Sequence, residues 1–330
     1  MQVALALVGG PLHTHLMTYA EQTAWRSIQE FLPPAYQLTP ETEPAEEWWD
    51  HLGHRIHLDT YRNPDAPVKV ILFHGVGTNG RQMTTILGRP LAERGYETIA
   101  IDMPTYGITE VAPGARVTYD DWVRIGSDLV DAELARDDRP IVLYGLSAGG
   151  METYHVAAVN NRVSGIVGMT FLDQQSAQVR RDTAFDPVSG AVGAAVMGAL
   201  ARTPARDVRV PMTWVSKMRA LVNNPDAKRA CYADPTSAGN KVSVAFLDSY
   251  LNYRPAVAPE DFDVCPVLLT QPAKDRWTPL ELSTPFLNRI GRVPVTTVML
   301  ERAGHYPLEL PGLDQMVDAI AAFCADRTGV

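Results

Sequence analysis

The sequence predicts an α/β fold, in which a mostly parallel central sheet is flanked by helices and a helical cap is inserted after the sixth strand. Short apolar runs alternate with helical segments over the first half of the chain, and two more runs follow at 265–270 and 295–300. This alternation favours a parallel sheet with helices on both faces. Residues 174–262 show little β alternation. A helical segment inserted between two strands is expected to cover the carboxyl edge of the sheet, where ligands bind.

Each element is predicted from its own pattern. Residues 19–31 have helical spacing that ends at Pro33-Pro34, and residues 40–47 are acidic and are interpreted as a surface linker. At 55–61, apolar and polar residues alternate as they do in a strand. Further strands are predicted at 68–73, 97–101, 141–144 and 163–171, and helices at 83–94, 119–136, 148–159 and 213–222. The chain then divides into an N-terminal extension (1–50), an α/β core (51–173 and 264–330) and the cap (174–263).

The composition excludes several classes of function. The chain has 330 residues, 46% of them hydrophobic, and a net charge of −9 from 29 basic and 38 acidic residues. An acidic protein without a run of Lys and Arg gives no indication of a positively charged surface that would bind nucleic acid or an anionic membrane. The three cysteines are far apart, which favours reduced structural thiols. His51, His54 and His57 lie close together in a pattern as typical of a surface as of a zinc site, so no metal is predicted.

The N-terminal sequence gives information about the cellular location of the protein. Residues 3–8 are apolar, but no Lys or Arg precedes them, and a secretory signal needs a basic start. No run of about 18 apolar residues occurs in the sequence, so no integral membrane segment is expected. We therefore expect a cytoplasmic protein.

Residues 145–149, Gly-Leu-Ser-Ala-Gly, give the strongest indication of chemistry. G-x-S-x-G alone is a short motif, but here it follows the predicted strand 141–144 and opens the predicted helix 148–159. In that context a sharp turn exposes the serine Oγ, and small neighbours avoid clashes. A phosphate-binding loop would need Gly-Lys-Ser or Gly-Lys-Thr, which the sequence lacks. Ser147 is therefore predicted to be a nucleophile.

A serine hydroxyl needs a general base and usually a carboxylate that orients the base, in the chain order Ser, Asp or Glu, His. Only two histidines follow Ser147. His155 lies about two turns along the next predicted helix and is interpreted as structural, whereas His305 lies in a loop after the last predicted strand and is the predicted base. The predicted acid is Asp275, which follows the preceding strand, and Asp173 is the alternative.

The oxyanion of a tetrahedral intermediate needs hydrogen-bond donors. The N–H of Ala148, next to the nucleophile, is expected to supply one. The second is expected from the glycine-rich loop 74–80 after an early strand, and we predict the N–H of Val76. The His74 side chain is interpreted as structural, and Asp102 is expected to brace the turn that follows it.

Together these residues resemble the α/β-hydrolase family. The resemblance covers residues 55–173 and 264–325, and its motifs occur in family order: Phe-His-Gly at 73–75, Asp-Met-Pro at 102–104, the G-x-S-x-G turn, Asp275 with Pro279, and Gly304-His305. Within the family the chain looks like the capped carboxylesterases and monoacylglycerol-lipase-like members. This implies a Ser147 nucleophile, a His305 base, an Asp275 acid and no cofactor. The oxyanion loop reads His-Gly-Val-Gly rather than the His-Gly-Gly-Gly of one esterase branch. The serine argues against the epoxide hydrolase and haloalkane dehalogenase branches, which have Asp at that position.

The predicted function is hydrolysis of a carboxylic ester through an acyl-enzyme, with a small-molecule ester as the partner. Ala- and Met-rich cap segments suggest an apolar acyl or aromatic group, although these residues could simply pack cap helices together. The predicted substrate contacts are Gly75, Gly77, Leu146, Met197 and Tyr306.

Other functions stay open at this point. The same triad could serve C–C bond, lactone or amide hydrolysis or acyl transfer, because fold and triad do not set the substrate. A non-catalytic ligand-binding protein on a hydrolase scaffold is the alternative from another class. Residues 1–50 could add to the cap or to an interface, which leaves a homodimer open.

Overall fold

The computed structural model describes residues 17–327 and confirms the α/β fold. Its strands are β1 (Ala45–His51), β2 (His54–Tyr61), β3 (Lys69–Phe73), β4 (Glu97–Ile101), β5 (Ile141–Gly145), β6 (Gly165–Gly168), β7 (Arg209–Pro211), β8 (Lys241–Ser243), β9 (Val267–Pro272) and β10 (Val295–Leu300). Eight of them form one sheet in the order β1-β2-β4-β3-β5-β6-β9-β10. The pairs β1–β2 and β2–β4 are antiparallel, and the other five pairs are parallel.

Helices cover the sheet and make up most of the segment between β6 and β9, which contains the predicted cap. The α-helices are α1 (Ala24–Gln29), α2 (Gly80–Met83), α3 (Arg89–Ala92), α4 (Tyr119–Arg136), α5 (Ala148–Asn160), α6 (Ala177–Thr183), α7 (Pro187–Ala201), α8 (Met212–Val215), α9 (Pro225–Ala233), α10 (Val244–Asn252), α11 (Leu280–Leu287) and α12 (Gly312–Ala325). A π-helical segment (Thr84–Gly88) joins α2 to α3, and 3-10 turns lie at Pro34–Tyr36, Pro204–Asp207, Met218–Ala220 and Pro259–Asp261.

The local sequence explains the core elements. Every residue of β3, β4, β5 and β9 is buried, as expected of parallel strands covered on both faces. Helix α4 begins at a capping box, in which the Thr118 hydroxyl accepts a hydrogen bond from the N–H of Asp121 and the Asp121 carboxylate accepts one from the N–H of Thr118. The observed bounds of β4, α4 and β10 are those predicted from the sequence.

The N-terminal part differs from the prediction. Residues 45–47 belong to the edge strand β1 and are not a surface linker, and the predicted helix 19–31 is reduced to α1. The turn between β1 and β2 has positive φ at Leu52 (50°) and Gly53 (80°), the geometry of a tight hairpin turn. Leucine gives no sequence signal for such a turn, and the polar, half-buried β1 lacks a clear alternation.

The segment between β6 and β9 holds α6–α10, and it also contains the small β7–β8 ribbon. The predicted helix 213–222 is broken into α8 and the 3-10 turn Met218–Ala220, because Ser216 pairs with Ala184 between them. The cap boundaries at 174 and 263 stay a prediction. Within residues 17–327, no helix combines the length and apolar content that crossing a bilayer requires. The three cysteines are buried and unpaired, as predicted.

Candidate active site

Ser147 lies in the tight turn between β5 and α5. Its φ of 56° and ψ of −117° lie outside the regions that non-glycine residues ordinarily adopt. Flanking glycines make the turn possible: a Cβ on Gly145 would lie 1.9 Å from the carbonyl oxygen of Gly149, and a Cβ on Gly149 would lie 2.7 Å from that of His74. Ser147 lines a cavity whose walls include residues of α7, α8 and α10. The strained turn therefore presents the serine to this cavity at the carboxyl edge of the sheet.

His305 and Asp275 meet on neighbouring loops, after β10 and β9 respectively. The Nδ1 of the buried His305 lies 2.8 Å from Oδ2 of Asp275. Its Nε2 is buried and has no hydrogen-bond partner among residues 17–327. An Nδ1–H that donates to the carboxylate leaves the lone pair of Nε2 available to accept a proton. The ring of Trp277, centred 4.7 Å from the imidazole, lines the same cavity as Ser147.

Asp275 is held as a carboxylate by its surroundings. Its Oδ1 accepts hydrogen bonds from the N–H groups of Trp277 (2.7 Å) and Thr278 (2.8 Å), and its Oδ2 accepts one from the Thr278 hydroxyl (2.8 Å). Burial alone would raise the pKa of Asp275, but the charge of His305 and these hydrogen bonds outweigh it and lower the pKa to about 2. The group therefore stays charged at neutral pH and can orient the imidazole.

Asp173 lies elsewhere. Its Oδ1 accepts a hydrogen bond from the N–H of Gln175 (2.9 Å), and its other oxygen lies 3.8 Å from the Arg289 guanidinium. The structure thus brings Asp275, and not Asp173, to His305.

The loop after β3 lies against the serine turn. A Cβ on Gly75 would lie 2.8 Å from the carbonyl oxygen of Leu146 and 3.0 Å from Cβ of Ser147. The N–H groups of Val76 and Ala148 donate no hydrogen bond to any other described residue. Val76 also lines the cavity. Both amides therefore have a hydrogen bond left to donate, and their role towards an oxyanion stays a prediction.

His74 holds this loop from behind. Its Nε2 accepts a hydrogen bond from the N–H of Met103 (3.0 Å), so Nδ1 carries the proton and donates to the carbonyl of Gly75 (2.9 Å). Burial lowers the pKa of His74, which keeps the ring neutral. The structure confirms that His74 is structural.

Comparison with known proteins identifies the family of this chain. The sequence pattern of the alpha/beta hydrolase family matches residues 70–323. The chain belongs to the alpha/beta hydrolase family. This confirms the resemblance seen in the sequence.

Individual relatives of this hydrolase are distant. The quorum-quenching protein AidA of Acinetobacter baumannii (strain MDR-ZJ06) is 25% identical over 226 residues, which are 63% of this chain and 73% of AidA. Among solved structures, a soluble variant of monoglyceride lipase from Saccharomyces cerevisiae in complex with a substrate analog has a TM-score of 0.69, with 16% identity over 91% of this chain and 99% of the lipase. The monoacylglycerol lipase of Paleococcus ferrophilus has a TM-score of 0.64, with 18% identity over 82% and 99%. Because both identities are below 25%, these two structures show that the fold is shared and no more than that.

The cavity of the hydrolase has a volume of about 250 Å³ and lies between Ser147 and the segment that joins β6 to β9. Most of its lining side chains are apolar, and they come from α7, α8 and α10 of that segment as well as from the core: Val76, Leu172, Ala194, Met197, Met212, Trp214, Val215, Phe246, Leu247, Leu251 and Trp277. Polar groups are fewer and include Gln174, Arg180, Thr183, Ser189 and Ser216. The site offers apolar space next to one hydroxyl and two amides.

The predicted substrate contacts fall in different places. Met197 lines the cavity, as its cap position suggested. Gly75 packs on the serine turn, and Gly77 packs on Met218 of the cap. Leu146 and Tyr306 are buried and are not among the cavity-lining residues, and the Tyr306 hydroxyl donates to the carbonyl of Gln82 (3.4 Å). The roles of these residues in binding stay predictions.

A buried ionic cluster, which the sequence patterns did not predict, adjoins the glycine-rich loop 74–80. Asp102 accepts hydrogen bonds from the N–H groups of Gly80 (2.7 Å) and Ile108 (3.1 Å), so it braces the turn after β4 as predicted. It also binds His57 Nδ1 at 2.9 Å. Burial lowers the pKa of His57, but its hydrogen bond to Asp102 and the nearby carboxylate of Glu46, 3.2 Å from Nε2, outweigh this and raise the pKa to about 9.

Arg81 supplies the second cation of this cluster and binds both oxygens of Asp59, at 2.6 and 2.9 Å. The histidines at 51, 54 and 57 were the available signal, but two of the carboxylates that pair with His57, those of Glu46 and Asp102, are distant in the sequence. Among the described residues, no group of three or more His, Cys, Asp or Glu side chains could hold a metal ion.

Proposed function

We propose that this hydrolase cleaves a carboxylic ester through an acyl-enzyme formed on Ser147. The observation that carries the proposal is the His305–Asp275 pair, whose Nε2 has no hydrogen-bond partner among the described residues. Membership in the alpha/beta hydrolase family supports it. The names of the two lipase neighbours point to the same bond type.

In the proposed reaction, His305 Nε2 takes the proton of the Ser147 hydroxyl as the oxygen attacks the ester carbonyl. Asp275 holds the Nδ1–H tautomer and stabilises the imidazolium that forms. The N–H groups of Val76 and Ala148 donate hydrogen bonds to the developing oxyanion. His305 then protonates the leaving alcohol, and a water activated by the same nitrogen releases the acid from Ser147.

The cavity suggests which group the ester carries. Its apolar lining around about 250 Å³ favours an acyl chain or an aromatic group over a charged one. The inner face of α7 contributes small residues, Gly190, Gly193 and Ala194, that leave this space open. We therefore propose an apolar acyl or aromatic substrate group bound beneath α7.

Labelling with a fluorophosphonate tests the nucleophile directly. We expect one label per chain, which Ser147→Ala abolishes and the control Ser164→Ala, in the loop before β6, retains. Ser147→Ala or His305→Ala should lower kcat for p-nitrophenyl esters by about 10⁴-fold or more. Absence of label in the wild type would contradict serine catalysis and favour a non-catalytic binding protein.

A substrate panel separates the reactions that share this triad. p-Nitrophenyl esters of graded chain length are compared with lactones, an anilide and a vinylogous diketone. We expect the highest kcat/KM with an ester. Labelling of Ser147 without ester turnover would refute the ester assignment, and turnover within the panel would then identify the bond.

A further inference from the structure

Helix α7 of the cap exposes an apolar face. Its 15 residues, Pro187–Ala201, include no charged side chain. A surface helix ordinarily has polar residues on its outer face. In α7 the outer positions, spaced by four residues, are Val188 (73% exposed), Val192 (49%), Val196 (43%) and Leu200 (37%).

The inner face of the same helix is already used. Gly190, Gly193, Ala194 and Met197 line the cavity that also borders Ser147. A rotation of α7 that buried its outer valines would expose Met197 in their place. A helix that is apolar all round and half exposed lacks a packing partner on its outer side.

Aromatic residues adjoin this helix. Phe185, just before α7, is 46% exposed, and Trp214 in α8 is 72% exposed. The N–H of Phe185 donates a hydrogen bond to the carbonyl of Val215 (3.2 Å), so the two aromatic residues belong to adjoining segments. Exposed aromatic rings beside an apolar face are typical of proteins that lie at the boundary between lipid and water.

The cap segment around this face is basic, although the whole chain has a net charge of −9. Residues 174–219 contain three acidic residues (Asp182, Asp186 and Asp207) and seven basic ones (Arg180, Arg181, Arg202, Arg206, Arg209, Lys217 and Arg219). Asp207 is paired with Arg116 from outside the segment (2.8 Å). Asp248 of α10 also lies beside α7, since its Oδ1 would be 3.2 Å from a Cβ on Gly198. Seven basic side chains against these four acidic ones still leave a local positive charge that the overall composition conceals.

We propose that the exposed face of α7 docks on an anionic lipid surface, with the helix lying in the plane of the interface. Fifteen residues are too few for a span, which takes about 20, and an apolar helix flanked by basic side chains fits a surface position. Anionic head groups complement the basic segment. A second copy of the chain would instead bring two basic segments together, where like charges repel.

Vesicle sedimentation of the full chain tests the proposal without reference to hydrolysis. The probes are vesicles of phosphatidylcholine alone and of phosphatidylcholine mixed with phosphatidylglycerol. We expect binding to the mixed vesicles that weakens with added salt, and weaker binding to phosphatidylcholine alone. Val192→Glu should lower the partition coefficient about tenfold or more. The matched control is Val159→Glu on α5, because Val159 has the same 49% exposure and should tolerate the change.

Charge reversal separates the two contributions. Arg181→Glu combined with Arg209→Glu should reduce binding to the mixed vesicles about tenfold, while binding to phosphatidylcholine alone stays unchanged. Circular dichroism and the thermal midpoint verify that each variant is folded. Equal binding by Val192→Glu and Val159→Glu, or no binding of the wild type to mixed vesicles, would overturn the proposal. A dimer in light scattering that Val192→Glu dissociates, without vesicle binding, would assign the face to a second copy and would also overturn it.

Discussion

Replacing Asp275 by Asn tests how the proposed base is held. The Asn side-chain oxygen can still accept the N–H groups that Oδ1 binds, but its NH₂ would then face the Nδ1–H of His305. The imidazole must then turn or move its proton to Nε2, where it cannot take the Ser147 proton. The pKa of Asp275 falls from 3.8 to about 2, so the ionised form contributes about 2 kcal/mol to folding at neutral pH.

We therefore expect Asp275→Asn to lower kcat for p-nitrophenyl butyrate about 10⁴-fold and the free energy of unfolding by about 2 kcal/mol. Urea titrations followed by tryptophan fluorescence measure the second quantity. Because folding lowers the pKa, this stabilisation is present above about pH 4 and is lost as the pH falls through 2, and Asp275→Asn should lack that decline. Asp173→Asn is the matched control. Near-native kcat in Asp275→Asn together with a large loss in Asp173→Asn would refute the assignment of the acid.

Three further predictions concern the turn, the ionic cluster and the cavity. Gly149→Ala forces a Cβ against the carbonyls behind the serine turn, so it should lower ester turnover about 10²-fold. The control is Gly291→Ala, which has open space around it and should keep ester turnover and the thermal midpoint near those of the wild type. The raised pKa of His57 contributes stability below pH 6.5 that is lost as the pH rises through 9. The difference in unfolding free energy between the wild type and His57→Gln should therefore fall by about 3 kcal/mol between pH 6.5 and pH 9. A difference that does not change with pH would contradict a positively charged His57 in the cluster. Ala194→Trp fills the cavity, so kcat/KM for the p-nitrophenyl ester of octanoate should fall about tenfold or more relative to kcat/KM for the acetate ester. Ala195→Trp, on the outer face of α7, should leave the ratio of these two values unchanged.

The core of the fold and the residues of the proposed triad were accessible from the sequence because each has a local signal. Buried parallel strands give uninterrupted apolar runs, as in β3 and β5, and the following turn must contain small residues to avoid backbone clashes. His305 was identified because only two histidines follow Ser147. Positions at the ends of predicted strands then limited the acid to Asp275 and Asp173, and the geometry favours Asp275.

The parts that the sequence did not predict depend on long-range contacts. Strand β1 is a polar edge strand whose placement follows from a hairpin turn through Leu52. The ionic cluster has no local pattern, since His57 and Asp59 of β2 are joined by residues from three other parts of the chain (Glu46, Arg81 and Asp102). Leu146 and Tyr306 neighbour proposed catalytic residues in the chain, yet adjacency in sequence does not place their side chains in the cavity.

The insertion of the cap between β6 and β9 has a consequence for how such a protein can diversify. These two strands pair directly, so residues 169–266 leave the sheet and return to a neighbouring strand. The entropy of closing a loop grows only with the logarithm of its length, about 0.6 kcal/mol for each doubling. The excursion can therefore be lengthened, shortened or exchanged during evolution with little effect on the sheet that carries Ser147, His305 and Asp275. Substrate preference, which the cap walls govern in our proposal, can change while the chemistry is inherited unchanged.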